Sequence, residues 1–225
     1  MCGFAGFTDR APLGQLEISA AALAMAAALH HRGPDDSGVW VEPAAGVALA
    51  HRRLAIVDLS AAGHQPMASA SGRMVIAFNG EVYNHAALRA ELEAAGAAPV
   101  WRGHSDTETL LAAFEHWGVA ATLRRCVGMF ALALWDSARR ELVLARDRFG
   151  EKPLYCGWVG QRFAFGSELK ALRALPGFAN PVSRTALAAM LRLLYVPAPL
   201  TIYEGLYKLP PGTWLTLQPL SLIHI

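Results

Sequence analysis

The sequence predicts an α+β fold, with antiparallel sheets covered by helices on their outer faces. Two observations carry this. Apolar stretches pair off across short turns, as in "MFALALWDSARRELVLARD" and "LYCGWV…RFAFGSE", which is how consecutive hairpin strands read. No regular strand–helix–strand repeat accompanies them, so a parallel sheet with crossover helices is disfavoured.

Taken in order, "FAGF" (4–7) reads as a strand almost at the terminus, and 17–31 as a helix ended by Gly33 and Pro34. "GVWV", "GVALAH", "LAIVD" and "RMVIAF" read as strands, and "HAALRAELEAAG" as a helix closed by Gly96. Ser105 and Glu108 stand at capping-box spacing before an apolar run, marking a helix start. Two hairpins follow, the first turning at Ser137–Arg140. Helices are expected near 168–175 and 183–194, with a last strand at "TWLTL". One domain is the simplest count.

At 54% hydrophobic over 225 residues, the chain can bury a large core. A net charge of +2 without any Lys/Arg run argues against a nucleic-acid partner. Cys2, Cys126 and Cys156 are odd in number and lack a CxxC pair, which disfavours a disulfide framework and suits a reducing, cytoplasmic compartment. "ISAAALAMAAALHH" is too short to span a membrane, and no basic segment precedes an apolar one at the terminus. His30 and His31 beside an acid are adjacent rather than at the i, i+4 spacing of paired helical His ligands, and no third ligand is evident, so no metal is expected.

Four features bear on chemistry. Cys2 follows the initiator Met, and removal of Met1 would leave a thiol and a free α-amine on one residue. That amine has a pKa of about 7.7–8.0 and can act as the base for its own thiol. Taken alone, Cys2 also reads as an ordinary residue behind Met. Gly3 beside it would let backbone and substrate approach closely. In "AFNGEVYN", Asn79-Gly80 is first a hairpin signal. The chemical alternative is a donor pair, the Asn79 amide and the Gly80 N–H, for the oxyanion of a tetrahedral intermediate. Arg53 and Asp106 read as a solvated charge and a helix-dipole acid, or as a clamp for the α-carboxylate and α-ammonium of an amino acid.

Together these residues resemble the class II, N-terminal nucleophile glutamine amidotransferases, most closely the glutaminase half of glutamine-hydrolysing asparagine synthetases. The likeness runs through ordered blocks along nearly the whole chain: "MCGFAGF", "HRGPDDSG", "HRRLAIVD", "FNGEVYNH", "GHSDTETLL", "GMFALALWD", "RDRFGEKPLYC", "FGSELKAL" and "YVPAPLTIYEGLYKLPPG". Pro34-Asp35 and "RDRFGEKPLY" favour the asparagine synthetase branch over the amidotransferases that make glucosamine phosphate or phosphoribosylamine.

The resemblance implies a four-layer αββα sandwich of the N-terminal nucleophile hydrolase type, over residues 2–219. It implies that Cys2 is the nucleophile and that Asn79 and Gly80 form the oxyanion hole. Arg53, with the main chain of Ile56 and Val57, would bind the glutamine carboxylate, and Glu81 and Asp106 its amino end. The glutaminase needs no cofactor. ATP and Mg are expected of a C-terminal synthetase domain, for which the chain has no Gly-rich phosphate loop. The resemblance leaves room for a homodimer. Other readings are a glutaminase serving another acceptor, such as a surface sugar or peptide, and a non-catalytic partner-binding module. Leu220–Ile225, "LSLIHI", is also an in-frame translation of CTG-TCT-CTT-ATA-CAC-ATC, a transposon end used in sequencing libraries. These residues are therefore expected to be foreign, with the natural chain continuing.

Overall fold

The computed structural model describes residues 2–10, 13–218 and 221–224. The first sheet contains β1 (Gly3–Thr8), β2 (Asp36–Glu42), β3 (Val47–Arg53), β8 (Tyr155–Val159), β9 (Arg162–Gly166) and β10 (Leu206–Lys208), in the order β10-β8-β9-β1-β3-β2. The second contains β4 (Met67–Ala68), β5 (Met74–Val82), β6 (Gly128–Asp136), β7 (Glu141–Arg146), β11 (Trp214–Gln218) and β12 (Ser221–His224), in the order β12-β11-β7-β6-β5-β4. Every pairing is antiparallel. Of the expected foreign tail, Leu220 and Ile225 lie outside the described residues.

Strand alternation builds the layers. Phe4, Val47, Leu49, Val75, Ala77, Leu144 and Phe165 meet between the two sheets. Ala5, Phe7, Ala48 and Ala50, on the opposite face of the first sheet, pack against α1 (Gln15–Ala27) and α5 (Leu169–Arg173). Ile76, Phe78, Leu132 and Leu134, on the outer face of the second, pack against α2 (His85–Ala94) and α3 (Asp106–Trp117). The result is an αββα sandwich. α4 (Val119–Arg125) and α6 (Arg184–Leu193) complete the helices. No helix among the described residues is long and apolar enough to cross a membrane.

Several elements differ from the sequence reading. The first helix ends at Ala27, and His30–Arg32 forms a separate 3-10 turn. "LAIVD" is a loop rather than a strand. Arg53 at its start donates to the carbonyls of Asp58 and Ser60, and this curls the segment around the guanidinium. Asn79-Gly80 is not a turn; it lies inside β5, opposite Ala131 and Phe130 of β6. A Cβ on Gly80 would stand 2.2 Å from the Met129 carbonyl oxygen, so a close backbone approach, not a turn, demands the glycine. Ser105 caps α3 by accepting Glu108 N–H at 3.2 Å, but the Glu108 carboxylate accepts from Arg102 and Gly103 N–H rather than reaching back to Ser105.

Candidate active site

β3 places Val47, Leu49, His51 and Arg53 on one face by alternation, so His51 and Arg53 extend the inter-sheet row. β1 pairs with β3 through Gly3↔Arg52, which brings Cys2, one position further on, beside the end of β3. The Cys2 Sγ accepts Leu54 N–H at 3.3 Å and donates to the Leu54 carbonyl at 3.4 Å. Burial pushes the thiol above its ordinary pKa, opposed by the Leu54 N–H and the Arg53 charge. The two other cysteines are buried and pushed up to about 12, which leaves them inert.

The "HRGPDD" segment holds this end of the sheet in place. Arg32 Nε donates to the Cys2 carbonyl at 2.9 Å, and its Nη1 pairs with Glu168 at 2.9 Å. A Cβ on Gly3 would meet Arg32 Cδ at 2.9 Å, so the missing side chain makes room for that arginine. Asp35 accepts Ala55 N–H at 2.9 Å, and Asp36 pairs with His64 at 2.7 Å. The acids of this segment thus anchor the loop after β3. Among the described residues, no three His, Cys, Asp or Glu side chains gather where a metal ion could be held.

That loop presents Ile56 and Val57, both exposed, with Arg53 buried behind them. The Asp58 carboxylate accepts Ser60 N–H, Ser60 Oγ–H and His104 N–H. These bonds, the hydroxyl first, hold its pKa down at about 2.

Opposite stands β5. Val75 and Ala77 face the inter-sheet core, and Asn79 and Glu81 continue that row toward the cleft. Asn79 is 1% exposed, yet its Nδ2 has no hydrogen-bond partner. Buried donors are nearly always paired, so an unpaired one lining a cleft marks a place for a ligand acceptor. Gly80 presents a second donor. Both backbone groups of its β6 neighbour Phe130 are spent on Asp147, so the Gly80 N–H projects from the other edge of β5. Asp106, first residue of α3, accepts Val82 N–H at 2.9 Å; burial raises its pKa, opposed by that N–H and by the nearby His85.

Cys2, Arg53, Ile56, Val57, Asn79, Gly80, Glu81 and Asp106 all line one cleft of about 110 Å³. Its lining brings together a guanidinium, carboxylates, a thiol and two candidate donors. Leu54, Asp58, Gln65, Thr107, Met129 and Lys152 line it too. Lys152 and Asp58 belong to conspicuous sequence blocks, but Gln65 carries no local signal.

A glutamine amidotransferase domain model matches residues 1–222. Among the relatives are two Bacillus subtilis proteins, asparagine synthetase [glutamine-hydrolyzing] 3 and 1, which are 39% and 36% identical over 97% of this chain. The chain spans only 35% and 34% of their lengths. Among solved structures, glutamine phosphoribosylpyrophosphate amidotransferase from B. subtilis superposes with a TM-score of 0.72 at 18% identity. The match covers 100% of this chain and 49% of that one, and it establishes that the two share this αββα fold. With a family match along nearly its whole length and this fold beneath it, the chain belongs to the glutamine amidotransferase domains.

Proposed function

We propose that the chain hydrolyses the side-chain amide of L-glutamine to glutamate and ammonia through a thioester on Cys2. The observation that carries this reading is the unpaired Asn79 Nδ2 in the same cleft as the Cys2 thiol. After loss of Met1, the Cys2 α-amine takes the thiol proton and the thiolate attacks the amide carbon. Asn79 Nδ2 and Gly80 N–H stabilise the oxyanion, each donor contributing about 3–4 kcal/mol. The C–N bond breaks, ammonia leaves with the proton returned by the α-ammonium, and water releases glutamate and the thiol.

Arg53 uses two of its N–H groups on the Asp58 and Ser60 carbonyls. Its remaining N–H groups and its charge, with the main chain of Ile56 and Val57, suit the substrate carboxylate. Asp106 and Glu81 suit the α-ammonium. The ammonia serves ATP-dependent synthesis of asparagine from aspartate in a C-terminal domain like that of the longer relatives, in the cytoplasm.

Intact-mass spectrometry with a glutamine-like electrophile tests the reading. Loss of Met1, a single adduct on Cys2, and no glutamate from Cys2→Ala are expected. Turnover by a protein that retains Met1 would overturn the mechanism.

A further inference from the structure

Among the described residues, no strand neighbours the outer edge of β5 beyond Ile76, because β4 pairs only with Val75 and Ile76. Three side chains take the place of the missing strand. Gln65 Oε1 accepts Phe78 N–H at 2.7 Å. His51 Nε2 lies 2.9 Å from the Phe78 carbonyl, and Asp106 accepts Val82 N–H. Of the edge N–H groups at Phe78, Gly80 and Val82, the outer two are therefore held and the middle one faces the cleft.

We infer that His51 and Gln65 are positioning residues for the Asn79–Gly80 donor pair, clamping both backbone groups of Phe78 so that the two donors keep their direction. This rests on the glutaminase reading above. A carbonyl can only accept, so His51 donates from Nε2 and its Nδ1 carries no proton; that Nδ1 is buried and unpaired. Complete burial holds the ring's pKa down at about 4, so this neutral tautomer persists at neutral pH. Gln65 also donates to Thr107 Oγ1 at 3.3 Å, which locks the clamp to the residue after Asp106. A misplacement on the order of 1 Å at a reacting centre can cost about a hundredfold in rate, and preorganised donors gain their effect from not moving.

The test is steady-state glutamine hydrolysis by the wild type, Asn79→Ala, His51→Leu, His51→Gln and Gln65→Met, with thermal melts of each. His51→Leu and Gln65→Met should lower kcat about tenfold or more while KM stays within about twofold, since neither side chain supplies a group to the substrate's carboxylate or ammonium. His51→Gln keeps an N–H donor and should recover most of kcat. Should His51→Leu fail to fold, Gln65→Met, which alters a loop and not a sheet, is read in its place. An unchanged kcat in the folded variants, a change in KM larger than in kcat, or a Gln variant no better than Leu overturns the proposal. A wild type that releases no glutamate overturns the glutaminase reading along with it. If Asn79→Ala loses kcat and the clamp variants keep it, only the clamp is overturned.

Discussion

The Asp58 carboxylate accepts the backbone N–H of His104 at 2.9 Å, tying the loop that carries Ile56 and Val57 to the turn that starts α3. The two lie 46 residues apart in sequence, and their neighbours Val57 and Ser105 both line the cleft. Contact is close: a Cβ on Gly103 would stand 2.4 Å from Asp58 Oδ2. One carboxylate thus sets the distance between the side that holds Arg53 and the side that holds Asp106.

Replacing Asp58 with Ala should therefore raise KM for glutamine about tenfold with a smaller change in kcat, because the loop and the turn lose their tie. Loss of hydrogen bonds to a charged group costs about 1.5–3 kcal/mol, or roughly 5 °C in Tm at this size. The folded pKa of about 2 lies below the ordinary 3.8. The stabilisation is fully present above the ordinary value and is lost as pH falls through the folded one. Melts of wild type and variant should accordingly converge on acidification below about pH 4.

Gly80→Ala separates close packing from chemistry. The new methyl would meet the Met129 carbonyl oxygen at 2.2 Å and Phe130 Cα at 2.6 Å, both backbone atoms of β6. β5 must shift away, at a cost of about 1–3 kcal/mol. Because the shift carries both donors, kcat should fall about a hundredfold or more while the chain stays folded. Circular dichroism beside glutamate release measures both effects.

Local patterns made much of the fold legible. α3 announced itself through Ser105 and a polar first turn, and β6 and β7 through alternation across Ser137–Arg140. The misreadings share a cause. "LAIVD" has the composition of a strand, but the Arg53 side chain captures the Asp58 carbonyl and bends it. Asn79-Gly80 has the composition of a turn, but β6 lies alongside it as a strand. Cys2, Arg53, Asn79 and Asp106 were found through residue type and family likeness. His51, Asp58 and Gln65 were not, since their contacts depend on which strand edge lies uncovered and which turns meet.

The inter-sheet core should be the main source of stability. Phe165 is fully buried between the sheets, and Phe165→Ala should cost about 3–5 kcal/mol. At roughly 2–4 °C per kcal/mol, Tm should fall about 10 °C. Leu16→Ala, at a position 86% exposed, should leave Tm within about 1 °C. Differential scanning calorimetry distinguishes the two.

Asp106 offers the sharpest pH test. In the free protein burial raises its pKa, opposed mainly by Val82 N–H and the nearby His85. An α-ammonium beside it favours the charged form and lowers that pKa, so binding releases a proton when the group is protonated beforehand. KM for glutamine should therefore rise as pH falls through the free-protein pKa, by about tenfold per unit below it. Asp106→Asn should raise KM about a hundredfold and flatten that dependence, since no charge remains to titrate. Stability should respond in the opposite sense. An acid whose folded pKa is raised binds more protons folded than unfolded, so its ionisation destabilises the fold as pH rises. An amide still accepts Val82 N–H without a buried charge, so the variant should match or exceed the wild-type Tm at neutral pH. Kinetics and melts from about pH 4 to 8 measure both responses. A variant that kept the wild-type KM and its pH dependence would remove Asp106 from the substrate site.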